Sequence, residues 1–153
     1  NDPQLEFTTS DFVNIKGGRQ SAKYYFSDPE ITLKSAPERN VNFPGSDLQF
    51  NLSSDDLLAL QKASAIYSLP DLTFFSEEGS DTIKLILRDK ENDTSNTYDL
   101  TLAGSTTGTF SLDLKIENIR VLPGDYTVKV SKHLISEWTN TDVDLTYYIA
   151  LEP

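Results

Sequence analysis

The chain has 153 residues, carries 13 basic and 24 acidic residues for a formal net charge of -11, and contains no cysteine and no methionine. That length suits one compact domain, or one domain plus part of another, with a core large enough to need no covalent staple. The lack of cysteine excludes disulfides and thiolate metal sites and fits a reducing compartment, while the acid excess by itself argues against nucleic acid, although a polyanion responds to the local field and not to the sum.

No apolar run approaches the length of a membrane span, and the opening NDPQLEF lacks the basic-then-apolar order of a signal peptide. The chain therefore reads as soluble and intracellular. The missing methionine implies that the chain does not begin at a natural start codon, so a processed protein or a fragment is expected.

In chain order, alternating β-rich stretches run Leu5 to Thr9, Phe12 to Lys16, Ala22 to Phe26, Leu48 to Leu52, Leu72 to Phe75, Thr82 to Leu87 and Thr97 to Leu102. They continue as Phe110 to Lys115, Tyr126 to Val130, Ile135 to Thr139 and Leu145 to Leu151, most of them separated by Gly, Asn and Asp turn signals. The chain is mostly antiparallel β. One clear helix is predicted over residues 54–68, capped by Ser53 or Ser54, with Asp55 and Asp56 favouring its positive end and Pro70 ending it. Leu57, Leu60, Ser64 and Tyr67 form its predicted apolar stripe, widened by Leu58 and Ala65. The other face carries Asp55, Ala59, Lys62, Ala63 and Ile66.

Residues 34–45, KSAPERNVNFPG, are polar, hold two prolines and show no periodicity, as an extended connector does. Residues 1–45 hold 5 basic and 6 acidic residues, whereas residues 46–153 hold 8 and 18, so a boundary is placed between 1–45 and 46–153. After it a β-α-β-β-β order occurs twice: Leu48 to Leu52, helix 54–68 and three strands, then Phe110 to Lys115, a short helix at 116–122 and three strands. The fold class is α+β, with antiparallel sheets.

Catalysis has little support. His133 is the sole histidine and has no nucleophile elbow near it in sequence, and the carboxylate pairs Glu77-Glu78 and Asp55-Asp56 fall in a turn and a helix's first turn. Asp89, Glu91 and Asp93 alternate loosely like a calcium loop, but the sixth-position glycine and the distal glutamate are missing, so a solvated hairpin turn is expected. Neither a cofactor nor a metal is implied.

The stretch from Phe43 to Leu151 resembles the C-terminal domain of the sliding clamps of T-even-type bacteriophages, trimeric DNA polymerase processivity factors. The resemblance rests on FP before the domain, SSDDLLALQKAS, LDLKIENIRVLPGDYTVKV and the closing YYIALEP, the last also similar to the final strand of eukaryotic and archaeal clamps. Upstream, GGRQSAKYYFSDPEITLKSAPERNVNFP looks like the last strands of a clamp's first domain and the interdomain connector, so a truncated subunit lacking the start of that domain is expected.

This resemblance implies the DNA-clamp fold, with helices lining a hole and strands outside, and no covalent chemistry. It implies a homotrimer in the full-length protein, joined through edge strands, that encircles duplex DNA without sequence preference and tethers DNA polymerase, with a clamp loader as a further partner, in the cytoplasm of the infected host cell. It makes Lys62, Lys115 and Arg120 the DNA-facing residues, a basic lining inside an acidic exterior. It also implies a pocket for partner peptides from Val41 and Phe43 of the connector, Pro123 near the turn, and Tyr148 and Ala150 of the last strand. The alternative from another class is a virion-associated or carbohydrate-binding β-sandwich using Trp138 and Tyr147 as a stacking platform.

Overall fold

Alternation of apolar and polar residues organises almost the whole chain into strands, and the computed structural model, which describes residues 2–32 and 41–153, contains eleven of them. The described residues fall into two compact units, one within residues 2–32 and one spanning Val41–Pro153. The greater part of the expected connector, residues 34–40, lies outside the described residues.

The first unit is an antiparallel sheet of β1 (Gln4–Glu6), β2 (Phe12–Gly17) and β3 (Gln20–Tyr25), followed by one helical turn, α1 (Pro29–Thr32). The β2–β3 hairpin turns at Gly18-Arg19, where Gly18 takes the left-handed φ of 56° that glycine adopts without strain. Phe12 and Tyr25 pair across it with ring centroids 5.3 Å apart, and the Lys23 ammonium lies 4.4 Å above the Phe12 ring. Val13 is the buried hydrophobic of this unit, while Leu5, Phe7, Tyr24, Tyr25 and Ile31 are exposed.

The second unit contains β4 (Leu48–Leu52), α2 (Ser54–Tyr67), β5 (Asp71–Ser76), β6 (Thr82–Arg88) and β7 (Tyr98–Thr106), then β8 (Phe110–Lys115), β9 (Tyr126–Ser131), β10 (Ile135–Asn140) and β11 (Thr146–Ala150). The β-α-β-β-β order does occur twice, with the second helix reduced to a 3-10 turn at Ile116–Asn118. All pairings are antiparallel, in the order β11-β10-β9-β4-β7-β6-β5-β8. Each repeat lends its first strand to the other: β4 pairs with β9, and β8 pairs with β5. The two ends of the order meet at one bridge, where the Glu152 N–H donates to the Asp113 carbonyl at 2.8 Å.

Inward-facing residues of both repeats build one core: Leu48, Phe50 and Leu52 of β4, Phe74 of β5, Ile83 and Leu85 of β6, Val128 of β9 and Trp138 of β10. Trp138 is wholly buried, and its indole N–H is satisfied by Ser136 Oγ at 2.9 Å, which in turn donates to the Ile149 carbonyl at 3.0 Å. A buried polar pair is tolerated here because every donor has its acceptor.

α2 begins where its sequence signals place it. Ser53 is the N-cap, its Oγ accepting from the Asp56 N–H at 3.2 Å and donating to the Asp56 carboxylate at 2.6 Å. Ser68 closes it in the left-handed conformation, and the Leu69 N–H returns to the Ser64 carbonyl at 3.0 Å before Pro70. The buried stripe is Leu57, Leu60 and Ala63, so the expected stripe needs correction: Tyr67, Leu58 and Ala65 are exposed, and Ala63 faces the core. Close approach to the sheet favours the small residue, and Tyr67, the last residue of the helix, is exposed.

The second helix expected at 116–122 also needs correction. Seven residues ending at a Pro-Gly pair offer too few backbone bonds to repay helix nucleation, so only one 3-10 turn forms. Beyond it two tyrosines hold the chain: Tyr126 OH donates to the Leu122 carbonyl at 2.6 Å, and the Leu122 N–H donates to Tyr147 OH at 3.2 Å. Buried Ile119 anchors the same segment in the core.

A chain of ion pairs fastens the seam where β5, β6, β8 and the C-terminal residues meet. The fully buried Asp71 accepts from Lys115 Nζ at 2.5 Å and from the Lys90 N–H at 2.9 Å, and Lys90 Nζ donates to Glu152 at 2.5 Å. Beside it Asp113 accepts from Thr73 Oγ1 at 2.6 Å and from Arg88 at 3.1 Å. Burial pushes the Asp71 carboxyl up, but the Lys115 and Lys90 hydrogen bonds and charges more than offset it and hold it below the ordinary carboxylate value.

Two outcomes are expected. Gly104 lies in β7 with the Gln49 backbone oxygen 2.7 Å and Ile83 Cδ1 2.6 Å from where a Cβ would stand, so Gly104→Ala should destabilise the unit by about 1–3 kcal/mol in urea unfolding. A variant as stable as the parent would contradict this packing. Asp71→Asn should lower stability at pH 7 by about 2 kcal/mol, less than a fully buried pair because Lys115 keeps contact with water and Glu152. Because the folded carboxyl lies low, that contribution is complete above the unfolded carboxylate value and fades as pH falls through the folded one. Urea melts at pH 7 and pH 2.5 should therefore show the gap between parent and variant narrowing in acid.

Candidate nucleic-acid interface

α2 and residues 115–123 form a layer on one side of the second unit, with grooves between them at both ends of the helix. The layer is pinned to the sheet by Asp125, whose Oδ1 accepts from the Ser54 N–H at 2.7 Å at the head of α2. Lys62 projects from the exposed face of the helix and Arg120 from the segment after the 3-10 turn, where its Nε donates to the Glu117 carbonyl at 3.1 Å. Neither is in an ion pair among the described residues.

Lys115 differs. It ends β8, and its ammonium is committed to Asp71 at 2.5 Å with Glu152 at 4.0 Å, which holds its pKa above the ordinary lysine value. Of the three residues expected to face DNA, it is thus the one held in an ion pair. The layer sets Lys62 and Arg120 among Asp55, Asp56 and Glu117. Elsewhere in the second unit Lys84 and Lys132 are exposed and unpaired among the described residues.

Of the five residues expected to share a partner pocket, Pro123 stands apart from Tyr148 and Ala150. Trp138 and Tyr147 pair across β10 and β11 and face the core side, so by strand alternation Tyr148 and Ala150 stand on the opposite side, Tyr148 opposite Glu137. Pro123 instead lines a groove of about 260 Å³ with Leu57, Leu58 and Val121 on the helix side, near the Tyr147 hydroxyl that fixes Leu122. Val41 is exposed and Phe43 half-buried at the start of the unit. The Tyr148 phenol is raised above its ordinary pKa by partial desolvation and by the neighbouring Glu137 carboxylate.

The stacking platform imagined for a glycan fails on burial, since Trp138 is inaccessible and lies edge-on to Tyr126 at 6.2 Å between centroids. No cluster of three or more metal-ligating side chains occurs among the described residues, and none of their helices is long and apolar enough to cross a membrane. The Asp89–Asp93 stretch is a turn in which the Asp89 carboxylate accepts from the Glu91 N–H at 3.0 Å. The sequence held no sign of the Asp71–Lys115 pair, whose members are 44 residues apart and meet only through the β5–β8 register.

No family model matches the chain. It is 28% identical over 153 residues to a sliding clamp of Vibrio phage KVP40, an alignment covering 97% of this chain and 67% of the phage protein. Among solved structures, the proliferating cellular nuclear antigen of Entamoeba histolytica superposes with a TM-score of 0.60 at 14% identity, covering 100% of this chain and 65% of that one. The Helicobacter pylori beta clamp bound to a DNA ligase peptide gives 0.54 at 17% identity, covering 97% and 42%. The chain thus spans about two thirds of the phage protein and of the amoebal one, and less than half of the bacterial one. The architecture is the DNA-clamp fold, α+β with antiparallel sheets and a helix layer on one face, and along 97% of its length the chain is similar to a phage sliding clamp.

Proposed function

We propose that this chain is a subunit, or a large part of one, of a phage sliding clamp: it encircles duplex DNA without sequence preference and tethers a DNA polymerase for processive synthesis. The observation that carries this reading is the likeness to the phage clamp, which runs over 97% of the chain. On this reading residues 46–153 are the C-terminal clamp domain and residues 1–45 the end of the preceding domain with its connector. The full-length protein closes as a homotrimer through strand edges, is opened by a clamp loader, catalyses no reaction and works in the cytoplasm of the infected host.

Duplex DNA faces the helix layer, with Lys62 and Arg120 as its phosphate contacts. The sparse charge there suits a ring that slides, since enclosure retains the DNA and the contacts need only be weak and mobile. The Helicobacter pylori clamp was solved with a DNA ligase peptide. A comparable partner peptide is proposed to dock here at Val41, Phe43, Tyr148 and Ala150, with Pro123 left to the helix-side groove. Because the layer has two free cations, each chain should neutralise about two phosphates, and log K for duplex should fall with log salt at a slope of about -1.8 per chain. In fluorescence anisotropy with labelled duplex, Lys62→Glu with Arg120→Glu should flatten that slope and abolish binding, whereas Lys84→Glu with Lys132→Glu should leave both unchanged. The reverse pattern would move the DNA to the other face.

A further inference from the structure

Between the C-terminal end of α2 and the 3-10 turn lies a groove of about 470 Å³, lined by the apolar Ala65, Leu69, Pro70 and Ile116 and by the carboxylates Asp89 and Glu117. Both walls are fixed before any partner arrives. The Ile116 N–H donates to the Pro70 carbonyl at 2.9 Å, and Ser64 Oγ donates to the Leu69 carbonyl at 2.7 Å. A preformed groove spares a ligand the cost of ordering it.

Its field is negative. α2 presents its negative end here with no basic residue in its last turn. Lys115 also lines the groove, but its ammonium is bound to Asp71; nearby Lys90 is bound to Glu152, and Arg120 donates its Nε hydrogen to the Glu117 carbonyl. The five carboxylates Asp71, Asp89, Glu91, Glu117 and Glu152 thus outnumber the three cations near them, Lys90, Lys115 and Arg120. Both lysines are held above their ordinary pKa, by the hydrogen bonds to Glu152 and Asp71 first and by the further carboxylates second. A positively charged group is attracted to this groove.

We propose that this groove is a docking site for a basic peptide segment of a partner protein, seating an apolar side chain on Ala65, Leu69 and Ile116 and directing lysine or arginine toward Asp89 and Glu117. The apolar anchor supplies affinity and the rim charges supply orientation and on-rate. The site is separate from the peptide surface proposed at β11 and does not depend on DNA binding.

The test is an amide chemical-shift titration of the isotopically labelled chain with three probes: a short acetylated peptide of leucine and arginine, the same peptide with serine for leucine, and spermine. The expected result is saturable shifts for the leucine–arginine peptide, confined to residues 64–70, 89–91 and 115–117. Serine for leucine, or Asp89→Asn with Glu117→Gln in a chain whose circular dichroism is unchanged, should weaken it by about tenfold or more. No shifts, shifts spread over the acidic surface, or equal binding of spermine and the serine peptide would each overturn the proposal, the last reducing it to unspecific cation attraction.

Discussion

The second unit depends on an exchange of strands between its two repeats. β4 sits between β7 of its own repeat and β9 of the other, and β8 lies against β5, so neither repeat can complete a sheet or a core alone. If the symmetry were perfect, β8 would pair along β11 as β4 pairs along β7. What remains of that pairing is the bridge from Glu152 to Asp113. The salt bridges of Lys90 and Lys115 gather at this weak point, fastening by side chains what the backbone joins by one hydrogen bond.

This arrangement also sorts the charges. Four cations of the second unit, Arg88, Lys90, Lys115 and Lys129, are consumed in ion pairs on or beside the strands. Of the free ones, Lys62 and Arg120 stand on the helix layer, where Asp55, Asp56 and Glu117 accompany them. With a formal net charge of -11 on the whole chain, such a surface cannot bind a polyanion tightly. A protein that holds DNA by enclosing it does not need to, and on the proposed reading the low charge keeps the contacts weak enough to move.

The strands were legible because a half-buried strand writes its two faces into the sequence in alternation, as Leu48, Phe50 and Leu52 do. α2 was legible through Ser53, the two aspartates and Pro70, which act locally. What depended on three-dimensional register was hidden. Ala63 reads as a solvent residue until a sheet is placed beneath it, and the second helix reads as helical until the Tyr126 and Tyr147 hydroxyls take the Leu122 carbonyl and N–H. Lys115 resembled a free cation because its partner lies on a strand 44 residues away. Pro123 was grouped with Tyr148 and Ala150 by likeness to a pattern, whereas strand alternation sets Tyr148 apart from Tyr147, near whose hydroxyl Pro123 lies.

Enclosure makes one demand that no surface contact can imitate, which is that the DNA have no free end. The direct measurement is retention of the protein on nicked circular duplex, followed by gel filtration at raised salt, before and after a single cut that makes the circle linear. The account predicts that protein travels with the circle at salt concentrations where Lys62 and Arg120 are screened, and is lost once the duplex is cut. Equal retention on circular and linear DNA would contradict it.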